Sequence, residues 1–187
     1  MSHPQIPGIG TLELVPVWDE LDLVADPVRA ALLAYRETRP DLAEQIFVAP
    51  VPPEAADTEA LTSAFDLDPA LSVNCILVGG KRAGEQRIAA CNIRATTNAD
   101  VNSMVRRLLD VRKASFLARD LAVEQSGMEY GAITPVGIPT TWRLLVDQRA
   151  SEGWACIGSG VRHSKLVLPG QVLATLPGSE VIEGLAN

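Results

Sequence analysis

Val73-Asn-Cys-Ile-Leu-Val-Gly-Gly-Lys-Arg-Ala-Gly-Glu-Gln-Arg-Ile-Ala-Ala-Cys-Asn-Ile-Arg94 is the stretch at which the chain turns from helices to strands. Val73 to Val78 is apolar and rich in β-formers, Gly79 to Gly84 supplies turn residues, and Arg87 to Arg94 resumes an apolar run, so the segment predicts a β-hairpin. Upstream the pattern is helical. Asp26-Pro27 reads as an N-cap followed by proline at the first helical position, and Val28, Ala31, Leu32 and Tyr35 recur at helical spacing until Pro40. Asp57 opens a second helix through Phe65, with Ala60, Leu61 and Ala64 on one face. Ile46 to Val48 is a short strand before the Pro50-Val-Pro-Pro53 loop. Residues 1–25 are Pro-rich and irregular, with Leu12 to Trp18 either a packed strand or an extended arm.

Downstream of the hairpin a helix begins at Asn98 or Asp100, with Val101, Met104, Val105, Leu108 and Leu109 on one side. Another runs from about Leu117 to Ser126 and is closed by Gly127. Strands are expected near Tyr130 to Thr134, Arg143 to Val146, Ala155 to Gly158 and Ser164 to Leu168. A short helix, Gln171 to Leu176, and an edge strand, Glu180 to Ile182, follow. Strands mixed with helices without regular βαβ alternation predict an α+β (mixed α/β) fold: a mixed, twisted β-sheet or partial barrel surrounded by helices.

A chain of 187 residues, 47% of them hydrophobic, can bury one sizeable core, so residues 1–187 are expected to form one domain. No run approaches the roughly 20 apolar residues of a membrane helix, and the first ten residues lack a basic region followed by an apolar one, which predicts a soluble, cytoplasmic protein. Cys75, Cys91 and Cys156 are widely spaced in apolar runs and read as reduced core residues. The net charge of −7 argues against a nucleic-acid partner until its distribution is considered. Residues 1–70 carry three basic and thirteen acidic side chains, whereas residues 71–187 carry thirteen and ten. The acidity belongs to the first third, and the rest can present a modest basic surface.

Gly127-Met-Glu-Tyr-Gly131-Ala-Ile-Thr-Pro135-Val-Gly137-Ile-Pro139 joins a helix cap to a loop stiffened at its prolines and open to close approach at its glycines. Taken alone, it is either a tight structural turn or a ligand-contacting loop. Gly131-Ala-Ile-Thr-Pro135-Val-Gly137 resembles the Gly-x-x-x-Pro loop of the YbaK/EbsC family of aminoacyl-tRNA deacylases, relatives of the prolyl-tRNA synthetase editing domain. Leu144-Leu-Val-Asp147 is similar to that family's strand ending in Asp, and Gly158-Ser-Gly160-Val-Arg162 to its Ser-x-Gly-Arg-type turn. The hairpin from Gly79 to Ala90, and the helix from Asp100 to its exit at Arg112-Lys113, also match. The resemblance spans residues 58–187 and leaves residues 1–40 as an N-terminal extension.

The resemblance implies a trans-editing enzyme that hydrolyses the ester of a mischarged aminoacyl-tRNA without a protein nucleophile, cofactor or metal. It implies that Gly131 is catalytic and that Ala132, Ile133, Thr134, Pro135, Gly137, Asp147, Ser159, Gly160 and Arg162 bind substrate. Arg112 and Lys113 would contact tRNA, and aminoacyl-tRNA, bound weakly and transiently, would be the partner, with a synthetase as a second one and no membrane or DNA. Many family members carry a Lys at the start of the first hairpin strand, where this chain has Asn74. Asn74 is either a strand-start residue tied to the backbone or a neutral hydrogen-bonding substitute in the catalytic set, which implies slower turnover. The alternative implied is a weakly active or inactive module that binds aminoacyl-tRNA, aminoacyl-adenosine or a synthetase. A third class is an interaction domain that uses the acidic first third.

Other chemistry fails on inventory. The histidines are His3, in the tail, and His163, read as a surface residue beside Arg162 and Lys165, so a Ser-His-Asp arrangement is poorly supplied. No Cys-x-x-Cys or His-x-x-x-His ligand spacing occurs. Lys81, Arg82, Arg106, Arg107, Arg112, Lys113, Arg162 and Lys165 are scattered bases, suited either to phosphates or to ordinary solvation.

Overall fold

The computed structural model describes residues 5–187, so His3 lies outside the described residues. Strand β1 (Val15–Pro16) precedes helices α1 (Asp26–Thr38) and α2 (Pro40–Ala43), strand β2 (Phe47–Pro50) and helix α3 (Thr58–Phe65). The hairpin follows as β3 (Val73–Arg82) and β4 (Glu85–Arg94). Next come α4 (Arg106–Leu109), β5 (Ala114–Phe116), α5 (Arg119–Ser126) and β6 (Arg143–Asp147). Strands β7 (Trp154–Gly158) and β8 (Ser164–Pro169), helix α6 (Gly170–Thr175) and strand β9 (Ser179–Ile182) complete the order. Among the described residues no helix is long and apolar enough to cross a membrane.

The mixed α/β fold expected is the fold found, with the strands divided between two sheets. One has the order β5-β3-β4-β6-β9, in which β4, β6 and β9 run parallel and the remaining pairs antiparallel. The other, β1-β2-β8-β7, is antiparallel throughout. They meet at a seam where Ser72, just before β3, bridges Cys156 of β7, and the strands do not close into a barrel. Burial explains the arrangement. Leu77, Ile88 and Leu144 of the larger sheet and Leu166 and Leu168 of the smaller one share a core with Val28, Leu32 and Tyr35 of α1. The larger sheet's other face buries Val78, Ala89, Cys91 and Leu145 under Val105 and Leu109. With both faces covered, β4 is buried almost continuously from Ile88 to Ile93 rather than alternating. Each large aliphatic buried in this way contributes about 1.5–3 kcal/mol relative to exposure.

Several elements differ from their sequence expectation. The hairpin turn is two residues, Ala83 and Gly84, both at positive φ, while Gly79 and Gly80 continue β3 and pair with β5. That pairing also creates β5, a three-residue strand too short to stand out in the sequence. Residues 130–134 form turns rather than a strand, because the segment is folded on itself and onto the next turn: Ala132 N–H donates to Glu129 O, Gly160 N–H to Ala132 O, and Glu129 N–H to Gly160 O. Helix α1 begins one residue earlier than read, with Ala25 as its N-cap, and the segment after Asp100 starts as a π-helical turn over Val101–Val105.

Candidate functional site

The seam between the sheets opens into a cavity of about 400 Å³. Ser72 and the first residues of β3, Val73 to Leu77, form one wall, and residues 56–58 and Leu61 at the start of α3 form another. Cys156, Ile157 and Gly158 of β7 with Lys165 of β8 make the inner surface. Tyr130, Gly131 and Ile133 of the glycine- and proline-punctuated loop, with Phe116 and Leu117, border it toward solvent, where Phe116 is 70% and Tyr130 51% exposed. The guanidinium of Arg119 lies over the Tyr130 ring at 4.7 Å from its centroid.

Polar groups gather at the β3 and α3 side. Thr58 Oγ1 donates to Asn74 Oδ1 at 2.9 Å, which leaves the amide nitrogen of this cavity-lining residue as a donor without a partner among the described residues. Asp57 does not cap α3 with its side chain. Instead its carboxylate meets Arg162 Nη1 at 3.3 Å, and Arg162 also donates to Pro53 O at 3.0 Å and, from its backbone amide, to Glu129 Oε2 at 2.6 Å. Arg162 thereby clamps the Gly131 loop to the start of α3. The backbone amides of Gly131 and Ile133 make no hydrogen bond among the described residues. The cavity thiols are poor nucleophiles, because burial pushes Cys156 up to about 11 and raises Cys75 as well.

The structure brings Asn74, Gly131 and Ile133 to one cavity and sets Arg162 at its rim. Ala132, Thr134 and Pro135 are buried in the loop behind it. Gly137 and Gly160 serve packing against the extension: a Cβ at Gly137 would run into Pro27 O, and one at Gly160 would come within 2.5 Å of Ala25 Cβ. Ser159 Oγ donates within its own turn to Ser164 O at 2.9 Å. Asp147 does not line the cavity and holds the C-terminal segment, accepting from Ala186 N at 3.0 Å and from Arg149. Burial pushes its carboxyl up, but those hydrogen bonds outweigh it and hold the carboxyl below the usual range. Arg112 and Lys113 are exposed just before β5 and do not line the cavity. His163 is exposed in an outer groove beside Arg119 and Glu129.

Lys165 is the residue whose placement sequence reasoning missed. Read as surface charge, it is 7% exposed, and its ammonium donates to Ala56 O. Burial pulls its pKa below the ordinary lysine value, Cys156 and Asp57 partly oppose this, and the Arg162 charge adds to it. A lysine within the apolar run Ser164-Lys-Leu-Val-Leu168 was the available signal.

The sequence matches the family model of the aminoacyl-tRNA editing domain over residues 52–176. No curated protein matches it significantly. The crystal structure of hypothetical protein APE2540 is similar over 84% of this chain and 99% of its own, at 18% identity and a TM-score of 0.69. That of a candidate trans-editing enzyme for prolyl tRNA synthetase is similar over 86% and 97%, at 16% identity and a TM-score of 0.67. At these identities the two likenesses bear on the fold.

Proposed function

The chain belongs to the aminoacyl-tRNA editing domain family, and from that premise we propose that it hydrolyses the ester of mischarged aminoacyl-tRNA in trans, holding the acyl group in the cavity at the sheet seam. The observation that carries this reading is that residues with unpaired donors, the Gly131 and Ile133 amides and the Asn74 amide nitrogen, line one cavity together with apolar side chains such as Leu61, Leu77 and Ile157. An ester carbonyl gains negative charge as water adds to its carbon. Fixed N–H donors in a largely dry site stabilise that charge without reorganising. The bond to the ribose oxygen then breaks, and that oxygen leaves with a proton. A neighbouring ribose hydroxyl or a group of the substrate itself orients the water, since among the described residues no histidine lines this cavity. Such a site adds discrimination where a synthetase pocket cannot, because one methylene is worth only about 10 to 200-fold in binding.

Deacylation rates over a panel of aminoacyl-tRNAs test the proposal. Hydrolysis of at least one, with kcat/KM about tenfold lower in Asn74→Ala through loss of one hydrogen bond, is expected. Tight binding of the panel with no turnover would instead favour the non-catalytic module, and an Asn74→Ala enzyme as fast as wild type would remove Asn74 from the site.

The tRNA 3′ end is proposed to cross the rim at Phe116 and Tyr130. Exposed aromatic side chains with a guanidinium stacked on one of them suit unpaired bases, and base stacking is worth about 1–3 kcal/mol per base. Phe116→Ala should therefore raise KM for aminoacyl-tRNA roughly tenfold and leave kcat nearly unchanged. An unaltered KM would place the acceptor end elsewhere. Arg112 and Lys113, further from the cavity, are proposed to meet tRNA phosphates, and the synthetase that makes the error is proposed as a second partner.

A further inference from the structure

Two buried donors in the cavity remain uncommitted. Lys165 can donate three hydrogen bonds and makes one among the described residues, to Ala56 O. Ser72, 4% exposed at the seam, has a hydroxyl oxygen with no hydrogen-bond partner among the described residues. Both border the cavity, and around them stand Leu61, Cys156 and Ile157, each 3% exposed or less. An ammonium sealed among such groups is normally paired with a carboxylate, because one carbonyl does not offset the loss of water. Asp57 is the nearby acid, but its carboxylate is turned toward solvent, 66% exposed, and held by Arg162. Ser72 Oγ therefore adds no hydrogen bond to the fold, and Lys165 commits one of its three donors to it.

We propose that Lys165 and Ser72 form a subsite that binds an oxygen of the aminoacyl ester, the positive charge of Lys165 favouring an oxygen that carries or develops negative charge. The inference rests on the reading that this cavity holds the acyl group. The oxygen has two possible sources, the ester carbonyl and an acceptor in the acyl side chain. Pairing an ammonium with either one satisfies the donors that the folded chain leaves open.

Titration calorimetry with non-hydrolysable 3′-aminoacylamido-3′-deoxyadenosines bearing alanyl, seryl and aspartyl groups tests this directly. Lys165→Met should weaken binding at least about tenfold, as loss of a hydrogen bond from a charged donor does, and Ser72→Ala should weaken it less. An equal loss for all three analogues assigns the oxygen to the carbonyl, and a loss confined to the seryl and aspartyl ones assigns it to the side chain. Lys165→Met should also melt at or above the wild-type temperature, because methionine removes a poorly compensated charge. A purely structural lysine would give the opposite pair of results, a lower melting temperature with binding intact. Wild-type affinity in a folded Lys165→Met protein, or wild-type protein that binds none of the analogues, overturns the subsite. Analogue binding that depends on Lys165 in a protein that deacylates no aminoacyl-tRNA would leave the subsite standing and overturn the editing reaction instead.

Discussion

Gly131→Ala is expected to lower kcat/KM for ester hydrolysis by about 100-fold or more while leaving the protein folded. Gly131 sits at φ +85°, a region that an alanine occupies only with strain, of order 1–3 kcal/mol. The added Cβ would also run into the Arg162 guanidinium and come within 3.2 Å of Asp57 Oδ1. Arg162 is a flexible side chain and can swing away, so the fold survives. Its departure is costly for the site, because the same guanidinium ties Pro53 O and Tyr130 O together and fixes the loop that presents the Gly131 and Ile133 amides. Oxyanion donors act only when they are aimed within a few tenths of an ångström, and a displaced donor is equivalent to a lost one. Single-turnover deacylation, paired with circular dichroism and thermal melting, separates the two effects. A folded Gly131→Ala protein that works at the wild-type rate would remove the loop from the reaction.

The loop's presence was legible in the sequence, because glycines and prolines at fixed intervals after a helix cap have few other uses. Its conformation was not. Tyr130 to Thr134 has the apolar content of a strand, but the carbonyl of Ala132 is taken by Gly160, a partner 28 residues on, so the backbone curls where local pattern suggests extension. The same limit applies to Lys165, whose burial depends on Ala56 and the start of α3, more than a hundred residues away in the chain. Asp57 stands at the N-cap of α3 as expected, but its side chain is engaged elsewhere for the complementary reason. A carboxylate before a helix ordinarily caps it, and only the arrival of Arg162 from the β7–β8 turn diverts it. Ala25 and Pro27, outside the family match, bear on the site from behind, since they lie against Gly160 and Gly137 and so support the loop. Helical spacing in α1 and the apolar, β-forming runs flanking a turn in the hairpin are local features, which is why those elements were readable.

Arg94→Leu should be the most destabilising single change at the seam, with an expected loss of about 3 kcal/mol. The last residue of β4, Arg94 sends its guanidinium across the junction of the two sheets. It donates to Ala70 O and Leu71 O at 3.2 Å, to Trp154 O at 2.8 Å, to Arg149 O at 3.1 Å and to Glu152 O. Those five carbonyls come from the turn before β3, the turn after β6 and the entry to β7. Leucine keeps the apolar stem and removes every donor, so the carbonyls must find water in a half-buried space or remain unpaired, and hydrogen bonds to a charged group carry about 1.5–3 kcal/mol each before that compensation. In a domain of this size a 3 kcal/mol loss corresponds to a fall in Tm of roughly 6–12 °C. Arg94→Lys should recover little of it, since one compact ammonium cannot span carbonyls that a planar fork reaches at once. Urea denaturation checks the magnitude, and a change under about 1 kcal/mol would mean that the seam is held by side-chain packing instead. Because Leu71 leads directly into Ser72 and Asn74, loosening this junction also disturbs the cavity wall, so analogue affinity should fall in Arg94→Leu even at temperatures where the protein remains folded.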